Sequence, residues 1–89
     1  MPHVAMAHPD TRAVQAQLRD RRRAVGVQSL MVAQLAGITA VRYSQIESGW
    51  RQATPDQLRR LDNILIRYER ALASIQRAEQ ARSLASSNA

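Results

Sequence analysis

The chain has 89 residues and a formal net charge of +6, and Ala alone supplies 15 of its hydrophobic residues. That describes one small domain with a thin core, suited to helices and to further stabilisation by a partner. Three Gly and three Pro speak against a turn-rich all-β chain, and the absence of Cys removes disulfides, thiolate nucleophiles and thiolate zinc sites.

No apolar run reaches membrane length, and the N-terminal MPHVAMAHPD lacks a signal-peptide pattern, so a soluble, cytoplasmic chain without membrane association is expected. All 13 basic residues are Arg, against 7 acids, and the excess falls between residues 12 and 60. It is either a solvated basic surface or the electrostatic footprint of a polyanion partner.

In chain order, residues 1–9 carry two prolines and no periodicity and read as a disordered tail, with His3 and His8 as unstructured side chains. Asp10 or Thr11 caps a first helix running to about Val25, with Val14, Leu18 and Val25 inward and Gly26 as its stop. Successive helical residues point about 100° apart, so at least one of Arg21, Arg22 and Arg23 must face the protein. A second helix spans about Ser29 to Ala36, Gly37 makes a tight turn, and Thr39 caps a third helix from Ala40 to about Ser48, with Gly49 as its stop. Two short helices joined around a glycine form the helix-turn-helix pattern.

Thr54-Pro55-Asp56-Gln57 then signals a helix start: a Thr cap, Pro in the first position and Gln placed to close a capping box. Leu58, Leu61, Leu65, Tyr68, Leu72 and Ile75 follow at alternating spacings of three and four, an a/d seam on one helix from about Pro55 to Ser83. The expected organisation is therefore a tail at 1–9, a helix-turn-helix domain at 10–65, a helical extension at 66–83 that serves dimerisation, and a frayed end at 84–89.

Leu18-Arg19, Arg22, Gly26, Val32-Ala33, Leu35-Ala36-Gly37-Ile38-Thr39, Tyr43, Ile46-Glu47, Gly49 and Pro55 stand in one register. Over about residues 12 to 65 the chain resembles the Cro/CI-type (XRE-type) helix-turn-helix family of phage repressors, antitoxins and small bacterial regulators. The resemblance implies an all-α fold, here with a long C-terminal helix in place of the family's last helices. It implies a structural ion pair between Arg22 and Glu47, which makes Arg22 the inward member of its run. It also implies that the third helix enters the major groove, with Ala40, Val41, Ser44 and Gln45 at base edges.

Phosphate and backbone contacts would come from Gln28, Ser29, Arg42, Trp50, Arg51, Gln52 and Thr54. Gln28 and Ser29 stand in the reverse of the family's usual Ser-then-Gln order. For Trp50, packing against the core competes with a stacked or phosphate-facing indole, and the Tyr43 hydroxyl must find a partner or the rim. Val41 is either a reader or a packing residue.

The expected function is a sequence-specific double-stranded-DNA-binding transcriptional regulator, a repressor of phage or antitoxin type. It would bind a palindromic operator as a homodimer through Leu65, Tyr68, Leu72 and Ile75. The competing reading is a protein–protein interaction module that keeps the fold and acts through its long helix. No metal, cofactor or catalytic activity is expected: there is no Cys, both His lie in the tail, and no Gly-rich phosphate loop or apolar acidic pair is present. A separate effector-binding domain is likewise not expected.

Overall fold

The computed structural model describes residues 9–87 and contains four α-helices, with no strand among them: α1 (Pro9–Ala24), α2 (Ser29–Ala36), α3 (Ala40–Ser48) and α4 (Pro55–Ser87). Of the tail expected at residues 1–9, Pro9 instead opens α1, while residues 1–8 and the last two residues lie outside the described part. α1 packs on α3 and α4, and α2 packs on the same two helices. Leu18, Val32, Ala33, Ala36, Tyr43, Ile46, Ala53, Leu61 and Leu65 form one core, with Val27, Ile38, Leu58 and Ile64 packed against it.

The helix boundaries follow from local chemistry. At Gly37, φ is +70°, and the amide of Ile38 donates to the carbonyl of Ala33 at 2.9 Å, closing α2 with a left-handed residue. Thr39 Oγ1 accepts from the amide of Arg42, and Gly49 ends α3 at φ +83°. The capping box of α4 forms in both directions, Thr54 Oγ1 accepting from the amide of Gln57 and Gln57 Oε1 from the amide of Thr54.

Three sequence expectations change. α1 starts at Pro9, so Asp10 and Thr11 lie in its first turn rather than at its cap; Pro suits that first position because its missing N–H has no intrahelical partner to lose. Val14 is not inward but 46% exposed, and Gln15 is completely buried in its place. The inward face of α1 runs through 15, 18 and 22, and Val14 lies past its edge, about 70° from the centre of that face. Finally, α4 continues through the 65/66 boundary without a break and ends at Ser87 rather than Ser83, since no Gly or Pro interrupts it.

Candidate nucleic-acid interface

α3 is fixed along its inner face and open along its outer one. Tyr43, Ile46 and Glu47 are buried, whereas Ala40, Val41, Arg42 and Ser44 are exposed and Gln45 is half-buried. Val41, at 70% exposure, is therefore a surface residue and not a packing one. Ala40, Val41, Ser44 and Gln45 thus form one outward strip beginning at the N-terminus of the helix.

The end of α3 is anchored by two sets of contacts. Arg22 Nε donates to Glu47 Oε2 at 2.7 Å and Arg22 Nη2 to Glu47 Oε1 at 3.2 Å, a two-pronged pair, while Nη1 donates to the carbonyl of Val27. Both side chains are largely withdrawn from water. The carboxylate holds the Arg22 guanidinium above its ordinary pKa against the opposing effect of burial.

The second anchor escaped the sequence reading. Gln15 Nε2 donates to the carbonyls of Ile46 (2.7 Å) and Arg51 (3.0 Å), and Gln15 Oε1 accepts from the amide of Ala53 (3.0 Å). One amide side chain thereby satisfies three backbone groups at the end of α3 and in the loop after it. The spacing 15-18-22, shared with inward Leu18 and Arg22, is the signal that would have found it.

Tyr43 is completely buried in the core, and its hydroxyl has no hydrogen bond of standard geometry among the described residues. Burial raises its pKa above the ordinary tyrosine value, and the Glu47 carboxylate adds to the effect. The hydroxyl does not reach the rim; it lies beside the Arg22–Glu47 pair, close enough to interact with both side chains.

Trp50 is 68% exposed, so the alternative of core packing is excluded: Gly49 turns the chain outward at the point where the indole begins. Arg51 Nε donates to Gln45 Oε1 at 3.1 Å, and the Arg51 amide donates to the Gln45 carbonyl at 3.2 Å. A residue expected to read bases and one expected to hold phosphate are thus coupled to each other. Gln52 and Thr54 are exposed, the latter with its oxygen engaged in the α4 cap.

At the start of α2, Gln28 is the extended cap residue, but its side chain makes no capping bond; it is exposed, while Ser29 is half-buried. Arg12 adds a cation that the sequence did not single out. A Cβ at Gly49 would lie 3.1 Å from Arg12 Cγ, so the Arg12 stem crosses the C-terminus of α3, where positive charge is favourable.

The proposed dimer seam is divided. Leu65 is fully buried within the protomer, where it packs in the four-helix core, and so is unavailable to a partner. Tyr68 and Leu72 are half-buried and Ile75 is exposed. Arg21 was also missed. It clamps α1 to α4 by bonds to Asp62 (2.8 Å) and Glu69 (2.7 and 3.1 Å), so two of the three consecutive arginines face the protein.

Among the described residues no group of His, Cys, Asp or Glu is arranged to hold a metal ion, and no helix is long and apolar enough to cross a membrane. No curated protein and no solved structure matches the chain. A family model described as a helix-turn-helix domain does match, over residues 15–67, and such a domain implies DNA as partner. That match spans more than half of the chain and coincides with the helices that build and anchor α3; the chain belongs to this helix-turn-helix family, which includes XRE-type domains.

Proposed function

We propose that the protein is a sequence-specific regulator of transcription, a repressor of phage or antitoxin type, acting on double-stranded DNA in the cytoplasm at the nucleoid. The observation that carries the reading is the outward strip of α3, whose far end is held by Gln15 and Arg22. A helix held in this way presents its N-terminal side chains to a groove at a fixed angle. In the proposal Gln45 bonds an adenine edge, Ala40 and Val41 meet thymine methyls, and Ser44 serves either base partner. Gln28, Ser29, Arg42, Trp50, Arg51, Gln52 and Thr54 hold the backbone. The role is binding and not catalysis, and two copies act together on palindromic half-sites about 34 Å apart.

Selection of bound fragments from a random DNA pool, followed by titration at several salt concentrations, tests the reading. Six or so phosphate contacts give log K a slope of about −5 against log[salt]. A ratio of specific to non-specific affinity near one removes the regulator.

A second reading, a protein–protein interaction module using the same fold, is favoured by one observation. Every residue of α4 from Ser74 to Ala85 is exposed, with Ile75 and Leu84 among them. It requires that the protein leave the mobility of its own upstream DNA unchanged.

A further inference from the structure

Between α2 and α4 lies an apolar groove of about 320 Å³, walled by Leu35, Ile64, Tyr68 and Ala71 and rimmed by Arg67. That space is about ten times the share of one water in the liquid (~30 Å³), so it suits side chains rather than an ion. Leu35 is 56% exposed at its edge. Just beyond the groove, on the same helix, Leu72 and the 55%-exposed Ile75 form a short apolar ridge. At 100° per residue, Ile64, Tyr68, Ala71, Leu72 and Ile75 fall within an arc of about 100°, so groove and ridge share one strip.

We infer that the occupant of this groove is the ridge of a second copy of the chain, with the two α4 helices antiparallel about a two-fold axis near residues 71 and 72. Such an axis sets Ile75 of each copy opposite Tyr68 of the other, at the middle of the groove, and Leu72 opposite Ala71. A concave and a convex apolar patch in line on one helix are mutually satisfied only by inversion of direction, and two-fold symmetry satisfies both at once.

Charge points to the same arrangement. Glu79 stands one turn beyond Ile75, and neither it nor Arg67 has an ion-pair partner among the described residues of the protomer. The axis carries Glu79 to the level of Ile64, between Arg60 and Arg67 on the rim of the second copy. Leu65, being buried, takes no part. The inference rests on the dimer of the proposed function but not on DNA binding.

The chain has no cysteine of its own, which makes the test direct. Leu35→Cys and Ile75→Cys are prepared separately; both sites are exposed, so both variants keep the fold. On mild oxidation the mixture yields a disulfide between the two variants at least about ten times faster than either variant alone. A disulfide requires Cα atoms within about 7 Å, whereas two Ile75 positions are offset by seven residues, about 10 Å along the pair.

Sedimentation of the wild type accompanies the experiment. A dimer in which Ile75→Cys alone cross-links as fast as the mixture, or in which the mixture gives no bridge, overturns the groove and leaves the dimer standing. A wild type that is monomeric at 100-fold above micromolar concentration overturns both, and a foreign protein then covers the ridge. Specific DNA binding is measured separately and bears on neither result.

Discussion

Gln15→Leu removes an amide of nearly the same size from the interior and leaves the chain's apolar content higher, yet it should be strongly destabilising. The amide meets three backbone groups: the carbonyls of Ile46 and Arg51 and the N–H of Ala53. A leucine answers none of them. Each buried group left unsatisfied costs about 1–3 kcal/mol, and with the Arg51 carbonyl only partly buried the sum is about 3–5 kcal/mol. The whole domain holds about 4–13 kcal/mol at ordinary stability per residue. The melting temperature should therefore fall by at least about 12 °C, at about 4–8 °C per kcal/mol for a domain of this size. Urea unfolding followed by helical circular dichroism measures this; the exposed indole of Trp50 makes fluorescence a poor reporter of the core. Gln15→Glu should be worse than Leu, since it keeps an acceptor for Ala53 but turns a carboxylate toward two carbonyls. A loss below about 1 kcal/mol for Gln15→Leu would refute the reasoning, because the three groups would then find other partners.

The remaining expectations concern charge and recognition. Glu47→Ala leaves the Arg22 guanidinium with only the Val27 carbonyl in a largely dry site, and should cost about 3–5 kcal/mol by chemical denaturation; an unchanged midpoint would remove the pair from the account of stability. Arg21 holds the Glu69 carboxylate below its ordinary pKa through their hydrogen bond. A depressed carboxylate stabilises the fold above its unfolded pKa and loses that contribution as pH falls through the lower, folded value. Wild type should thus lose up to about 1 kcal/mol relative to Glu69→Gln below about pH 4.5, and parallel acid profiles would contradict this. On DNA, Gln45→Ala should relax preference at one position per half-site by about 1–3 kcal/mol. Because Arg51 bonds Gln45, adding Arg51→Ala should give a non-additive double-mutant cycle, and strict additivity would show that their hydrogen bond does not persist in the complex.

Much of the fold was legible because it is written in backbone chemistry. Gly37, Thr39, Gly49 and the Thr54–Gln57 box mark their boundaries by sterics and hydrogen bonding that act within about five residues. The family register likewise placed Arg22 against Glu47, and the structure brings them together. What was not legible depends on distance in sequence. Gln15 reads as a surface residue until the carbonyls of Ile46 and Arg51 are brought beside it, more than 30 residues away in the chain. Apolar type points Val14 inward, whereas its place past the edge of the inward face of α1 leaves it exposed. Leu65 satisfied the a/d period as well as Leu72 did. Which of them remains outside depends on where the body ends along α4, and local periodicity carries no information about that. Trp50 faced two opposite environments, and only the turn at Gly49 decides between them.

The length of α4 has a consequence for how the molecule opens. Its proximal part is locked by Leu61 and Leu65, both inaccessible to solvent, whereas every residue from Ser74 to Ala85 is exposed. An isolated helix of that distal length is marginal, since forming the first turn is the unfavourable step. Here the first turns are already ordered by the core, and the rest grows from them one residue at a time. Amide hydrogen exchange along α4 should accordingly be graded, slow near Leu65 and quickening toward Ser83, with fraying that enters from one end only and never crosses the helices that carry α3.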